Sequence, residues 1–394
     1  MKILITSDTF APMLNGVVVS IHNLMDELQK CGHEVRVLAL SENTEAHVKD
    51  NVYSIPSFPL KIYPNARGPL YDNPFQNDLL HWGPDIVHSQ TEFFTFTFGS
   101  RIAKRLHIPM IHTYHTLYEH YTNYIFLKGM NPQKVLGLFV RTKLRNLDAV
   151  IVPSYKAMES LETMGVSKPM RVIPTGIDLS AFAPQLNADQ RHQLRAQLNI
   201  PADAQIIVTV GRLAKEKNVQ ELLAYFCRLS ELDQRIIFLI VGDGPYREHL
   251  NSLAHNLGLS SRVRFTGLVP PHDIYKYYQL GQIYVNASTS ETQGLTYLEA
   301  LASGIPLVCR RDSCLEEILG EGKNGYYFES EEEYVEHTLN CLRDEPQHRK
   351  MRGYALETAQ HFSKETFGAS VEQFYFEMLQ EQREKMAGKL YEST

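Results

Sequence analysis

The chain has 394 residues and a mass of 45.1 kDa, with 43% apolar and 21% charged residues and a formal net charge of −6. That length and composition supply two or three packed cores and exclude a globally disordered chain. The longest uninterrupted apolar run, Ile236–Val241, covers six residues, where a membrane helix needs about twenty, so no transmembrane span is expected.

Taken in chain order, Met1-Lys2-Ile3-Leu4-Ile5-Thr6-Ser7-Asp8 reads as a strand and a turn rather than a signal peptide. Strands over 2–6 and 34–40 flank a helix over 17–30, where Val17, Ile21, Leu24 and Leu28 recur at helical spacing. Residues 51–75, rich in proline and aromatic side chains, read as a long loop. Strands follow at 85–88, 109–113, 148–152 and 170–173, with a helix over 99–106. Pro174, Pro184 and Pro201 punctuate a polar stretch, after which Ile206-Ile207-Val208-Thr209-Val210-Gly211 starts the pattern afresh. Further strands are expected at 235–241, 262–266, 282–286 and 306–309, and helices near 218–230, 246–257 and 294–303. Phe367, Val371, Phe374 and Met378 mark a closing amphipathic helix over 362–379. The alternation predicts an α/β protein of two doubly wound domains facing each other across a cleft, joined near 174–204. Open parallel sheets bind ligands beyond the carboxyl ends of their strands, so the cleft is where chemistry is expected.

Cys31, Cys227, Cys309, Cys314 and Cys341 form no C-x-x-C or zinc-type spacing, which suits a reduced, cytoplasmic protein without a structural metal. The charge is uneven. Residues 101–145 hold Arg101, Lys104, Arg105, Lys128, Lys134, Arg141, Lys143 and Arg145 against the single acid Glu119.

Several loops carry chemistry. After the strand ending at Asn286, Gly294 opens a helix whose first amides, at Gly294, Leu295 and Thr296, form an anion site. Glu291 precedes that end and Glu299 lies in the second turn, so both carboxylates can address one ligand; a solvated helix with an ordinary N-terminal acid is the alternative. Arg212, Lys215 and Lys217 occupy the loop after the strand ending at Gly211, where Arg212 and Lys217 can neutralise a diphosphate or simply be solvated. Asn15-Gly16 precedes the first helix, and Gly16 either lets backbone approach a phosphate or serves a helix-entry turn. His112 and His115 close the 109–113 strand as possible partners for a substrate hydroxyl, or as satisfied structural residues.

These pieces, in this order, resemble glycosyltransferase family 4, retaining nucleotide-sugar transferases of the GT-B fold. Glu291 and Glu299 match the family's E-x7-E signature, Arg212 and Lys217 its diphosphate-binding pair, and Val172-Ile173-Pro174-Thr175-Gly176-Ile177-Asp178 its linker. Val241-Gly242-Asp243-Gly244-Pro245 and Phe265-Thr266-Gly267 resemble its second-domain turns, while Asn15-Gly16 departs from the Gly-Gly of many members. The resemblance implies an N-terminal acceptor domain over 1–176, completed by 362–394, and a donor domain over 177–361. It implies that Arg212 and Lys217 hold the donor diphosphate with the amides of Gly294, Leu295 and Thr296 and with Gly16. It further assigns Glu299 to the ribose hydroxyls, Glu291 and His115 to the transferred sugar, and the backbone at Leu268-Val269 to the base. No Asp-x-Asp motif is present, so neither a metal nor another cofactor is expected.

The opening Ser7-Asp8-Thr9-Phe10-Ala11-Pro12 with Asn15-Gly16-Val17 looks most like the bacterial diacylglycerol glucosyltransferase branch. Residues 133–146 put Val135, Leu138 and Phe139 on one helical face and Lys134, Arg141 and Arg145 on another, beside the aromatic segment 118–128 that ends at Lys128. A basic amphipathic helix next to aromatics suits an anionic membrane surface, and the alternative is a core face backed by a solvated one. The expectation is a UDP-sugar donor, glucose as the sugar, a diacylglycerol acceptor, and peripheral attachment to the inner face of the cell membrane. A soluble acceptor, a glycoside hydrolase using Glu291 and Glu299, and a non-catalytic sugar-binding protein are the competing readings. Nucleic acid is not expected, because the net charge is negative.

Overall fold

The computed structural model describes residues 1–13, 15–60, 66–116 and 132–392. It divides into two compact units, Met1–Gly176 with Lys364–Thr394, and Ile177–Ser363.

The strands of the first unit are β1 (Lys2–Ser7), β2 (Glu34–Ser41), β3 (His47–Lys49), β4 (Val52–Pro59), β5 (Arg67–Pro69), β6 (Ile86–Ser89), β7 (Met110–Thr113), β8 (Ala149–Val152) and β9 (Met170–Val172). Its helices are α1 (Gly16–Lys30), α2 (Gln76–Trp82), α3 (Phe94–Leu106), α4 (Pro132–Leu144) and α5 (Tyr155–Thr163). The sheet order is β3-β4-β2-β1-β6-β7-β8-β9, with β5 beside β4. Strand side chains alternate between faces. Leu4, Val87, Met110 and Val150 pack under Ile102 of α3 and Leu136, Val140 and Leu144 of α4. Ile3, Ile5, Ile86, Ile111 and Ile151 pack on the other face under Ile21, Leu24 and Leu28 of α1.

Within the loop expected over 51–75, residues 52–59 and 67–69 are instead strand. β4 pairs with β2 in parallel from Val52 to Pro56, with β3 over Val52–Ser54 and with β5 over Ser57–Pro59. Pro56 falls between the β3 and β5 pairings, where its missing N–H interrupts neither ladder.

The second unit holds α6 (Ala188–Gln197), β10 (Gln205–Val210), α7 (Val219–Leu232), β11 (Ile236–Val241), α8 (Arg247–Asn256), β12 (Val263–Phe265), α9 (Ile274–Tyr278), β13 (Ile283–Asn286), α10 (Leu295–Ala302), β14 (Leu307–Arg310), β15 (Gly325–Phe328), α11 (Glu331–Arg343) and α12 (Glu345–His361). The order β12-β11-β10-β13-β14-β15 is the dinucleotide-binding 3-2-1-4-5-6 arrangement, parallel throughout. All six residues of β11 are buried, as a strand covered on both faces requires, and each contributes about 1.5–3 kcal/mol of burial.

The closing helix, α13 (Lys364–Glu392), is longer than its periodicity indicated and belongs to the first unit. Phe367, Val371, Phe374, Tyr375 and Met378 complete the core beneath α1.

Candidate active site

In the second unit the strand order reverses between β10 and β13, so the loops leaving these two strands bound the crevice where such sheets bind ligands. The β10 loop brings Arg212 and Lys217 there, and the β13 loop brings Glu291. Lys217 Nζ donates to Glu291 Oε1 at 2.6 Å, with the two side chains 28% and 13% exposed. Arg212 pairs with Glu216 and is half exposed. Asn218, at φ 54°, ends the single turn Lys215–Lys217 and starts α7. Its side chain donates to Glu221, which also accepts from Arg310 Nε at 2.9 Å.

Close backbone packing sets this loop. Leu213 N donates to Asp243 O and Tyr246 N to Leu213 O, both at 2.9 Å. A Cβ on Gly242 would overlap Gly211 O, and one on Gly244 would overlap Leu213 O. The two glycines after β11 therefore do more than turn the chain: they admit the neighbouring loop. Past β12, Leu268 is 80% exposed while Val269 packs on the core, which leaves this backbone at the surface.

Gly294 caps α10 at φ 80°, and a Cβ there would overlap the Tyr297 ring. The amides at the start of α10 lack intrahelical acceptors by position. Asn286 Nδ2 donates to Tyr284 Oη at 2.9 Å, and Tyr284 Oη donates to Thr296 Oγ1 at 2.8 Å, tying β13 to the first turn of α10. Glu299 accepts from the buried Tyr278 hydroxyl at 2.7 Å. Burial lifts its carboxyl to about 7, with the Tyr278 hydrogen bond opposing part of the rise. Lys217 and Glu291 thus form one pair, while Glu299 has a different partner. Tyr278 and Glu216 were not singled out in the sequence, since a tyrosine in Tyr275-Lys276-Tyr277-Tyr278 and one acid among basic residues carry no distinguishing pattern. Among the described residues no group of three or more His, Cys, Asp or Glu is arranged to hold a metal ion.

In the first unit Asn15 is the N-cap of α1: its Oδ1 accepts from Val18 N at 3.0 Å and its Nδ2 donates to Thr9 Oγ1 at 2.9 Å. Gly16, the first helical residue, is exposed. His112 is fully buried and its Nε2 lies 3.0 Å from Glu92 Oε1, the arrangement of its structural reading. His115 remains partly exposed, with Nε2 2.7 Å from Gln90 Oε1. Its pKa falls to about 4, first from burial and then from neighbouring His112, against the pull of Glu92.

The basic helix differs from its expected pattern. α4 buries Leu136, Val140 and Leu144, whereas Leu138 is 60% exposed on the surface stripe with Lys134, Arg141 and Arg145. Phe139, expected beside Leu138, instead stacks on Phe93 with ring centroids 6.0 Å apart. Phe93 and Phe94 are themselves exposed. Lys128 and the aromatic segment 118–128 lie outside the described residues.

Residues 14–181 match Glycosyltransferase Family 4, and residues 190–358 match Glycosyl transferases group 1. With the full-length relatives below, these matches make the chain a member of glycosyltransferase family 4 and a glycosyltransferase. The "Alpha-monoglucosyldiacylglycerol synthase" of Streptococcus pneumoniae is 35% identical over 96% of this chain and 86% of its own length. The protein of that name from Acholeplasma laidlawii is 30% identical over 99% of this chain and all of its own. Sucrose-phosphate synthase from Thermosynechococcus elongatus superposes with a TM-score of 0.75 at 21% identity, covering 96% of this chain and 98% of that one. Anabaena Alr3699/HepE in complex with UDP-glucose gives 0.74 at 18%, covering 95% and 99%. The fold is that of the GT-B glycosyltransferases.

Proposed function

We propose that the protein transfers glucose from UDP-glucose to 1,2-diacylglycerol with retention, giving an α-glucosyl lipid at the inner face of the cell membrane. The kinship with two diacylglycerol enzymes, covering 96% and 99% of this chain, carries this reading, because it includes the N-terminal unit assigned to the acceptor. The exposed stripe Lys134, Leu138, Arg141 and Arg145, beside exposed Phe93 and Phe94, supports it: basic groups suit anionic headgroups and the apolar ones the acyl boundary.

In this reading Lys217 keeps one ammonium hydrogen on Glu291 and directs others to the donor diphosphate, with Arg212, Gly16 and the first amides of α10 sharing that charge. Glu291 and His115 hold the transferred sugar, Glu299 accepts the ribose hydroxyls, and backbone at Leu268-Val269 meets the base. As the bond from C1 to the diphosphate breaks, negative charge builds on the leaving oxygen, and these fixed donors stabilise it. The acceptor hydroxyl attacks C1 from the same face and passes its proton to the leaving phosphate oxygen. The two cations and the helix end take the part that a divalent cation plays elsewhere, so a chelator leaves turnover unchanged.

Labelled UDP-glucose and diacylglycerol in vesicles test the reading. Label in the lipid phase is the expected result. Label in neither lipid nor free glucose discards this donor–acceptor pair, and label transferred to a soluble acceptor alone replaces it with the soluble-acceptor reading. Label released only as free glucose returns the hydrolase reading.

A further inference from the structure

Lys143 of α4 is half-buried, whereas Lys134, Arg141 and Arg145 of the same basic stretch are exposed. Its ammonium lies 5.6 Å from the centroid of the Phe96 ring and 5.9 Å from that of Phe139. An ammonium has three hydrogens to place. Two acceptors engage it, Phe93 O and Thr97 Oγ1, each at 3.5 Å, longer than the about 3.2 Å of a good N–H···O bond. Asp8 and Glu92 attract it, yet among the described residues neither forms an ion pair with it. Burial lowers its pKa against the pull of those two carboxylates. Thr97 also belongs to the first turn of α3, a helix end whose dipole repels a cation.

An ammonium held at such a cost, with hydrogen bonds still to give, marks a place built for a ligand rather than for stability. Its position agrees. The Phe96 ring stands edge-on to that of His112, with centroids 5.9 Å apart, so one ring separates Lys143 from the carboxyl end of β7, where His115 follows. Phe93 and Phe94, 46% and 37% exposed, flank the same turn of α3. The surrounding charge narrows the ligand. A phosphate on Lys143 would face Asp8 and Glu92, whereas a neutral oxygen meets no such repulsion. Of the groups in diacylglycerol, an ester carbonyl is a good neutral acceptor and sits at the head of an acyl chain.

We propose that Lys143 binds an ester carbonyl of the diacylglycerol acceptor, with the Phe93 and Phe94 rings against the acyl chain, and so selects ester-linked over ether-linked acceptors. This rests on the reading of diacylglycerol as the acceptor.

Initial rates of the full-length protein on dioleoylglycerol and on its dialkyl ether analogue, both in micelles of a neutral detergent without anionic lipid, test this. An ether oxygen is the poorer acceptor, so the wild type is expected to show an apparent KM about tenfold lower for the ester, the worth of one charge-assisted hydrogen bond. Lys143→Met keeps the apolar stem but loses the donor. Its KM for the ester should rise about tenfold, while KM for the ether and for UDP-glucose should hold within about twofold. A merely structural role would weaken both acceptors alike. Thermal melting of Lys143→Met should not fall, because a thioether suits the rings better than a half-buried charge. Lys143→Gln, which keeps an N–H donor, should retain part of the ester preference, and with the wild-type ratio it decides the matter if Lys143→Met folds poorly. A wild type indifferent to ester and ether, or equal losses on both in Lys143→Met, overturns the proposal. So does a Lys143→Met defect that appears only when anionic lipid is added, since that makes a headgroup the partner. A wild type that glucosylates neither acceptor overturns the diacylglycerol reading itself, and the proposal with it.

Discussion

Glu299 offers the sharpest test of the donor site. Burial raises its carboxyl to about 7 in the free protein, so about nine-tenths of the molecules carry it neutral near pH 6 and about nine-tenths carry it ionised near pH 8. Ribose hydroxyls donated to the carboxylate hold it ionised in the complex, which returns its pKa toward the ordinary carboxylate range. Binding then draws on the ionised fraction alone, and affinity for UDP-glucose rises about tenfold between those two pH values, roughly 1.4 kcal/mol. UDP-glucose is the ligand of choice because its diphosphate, esterified at both ends, has no proton to lose in this window. Isothermal titration calorimetry in two buffers of different ionisation enthalpy gives both the affinity and the protons released, about half a proton per donor near pH 7. Glu299→Gln, which cannot ionise, flattens both. The raised pKa also means that the folded state holds this proton more tightly than the unfolded one. Its contribution to stability is therefore present below about 4.5 and lost as pH rises through about 7. A wild-type affinity that stays level from pH 6 to 8, or an equal slope in Glu299→Gln, refutes the assignment of Glu299 to the ribose.

Gly294→Ala places a side chain at φ 80° and against the buried Tyr297 ring. The left-handed conformation costs about 1–2 kcal/mol and the overlap about 1–3 more, so thermal melting should fall by several degrees and donor affinity with it. Gly353→Ala, in α12 with nothing near its Cβ, should leave both unchanged or slightly improved. Lys217→Met removes a cation and breaks the ion pair with Glu291; kcat in steady-state assays should drop about 100-fold or more, with Lys217→Arg recovering part of it. Charge reversal of Lys134, Arg141 and Arg145 should weaken binding to anionic vesicles at least about 100-fold at low salt, since each basic group near such a surface contributes about 1 kcal/mol. Vesicle sedimentation checks it, and turnover on acceptor dispersed in neutral detergent should be retained. In the first unit burial depresses both His88 and His115, so the unfolded state takes up protons that the folded state refuses. Stability should decline as pH falls from about 6.5 toward 4, and His88→Gln should blunt that decline in thermal melts.

Much of the architecture was written in local pattern. The β-branched runs at 2–6, 206–211 and 235–241 became the central strands, because a parallel sheet covered on both faces demands unbroken apolar strands. The E-x7-E spacing, the cations after β10 and Gly294 were readable for the same kind of reason: each depends on a few neighbouring residues and on one helix end. Proline misled at β4, since only the arrangement of its partner strands made Pro56 harmless. On α4 the spacing identified the helix but not which face it buried, because that depends on where the sheet lies beneath Leu136, Val140 and Leu144.

By itself, then, the sequence determined the order of the central strands and the helices between them, the restart of the α/β pattern after 174–204, and the residue types at those strands' carboxyl ends. Those follow from periodicity, turn chemistry and charge, all local. Tertiary structure decided the pairing of Lys217 with Glu291 across 74 residues, the enclosure that lifts Glu299, and the tether from Gln90 to His115. It also decided the contacts that tie α13 into the first unit, where Tyr375 Oη lies 2.7 Å from His88 Nδ1 across 287 residues. Contacts of that separation, and the burial that shifts a pKa, are products of how strands are ordered in a sheet, which no short window of residues contains.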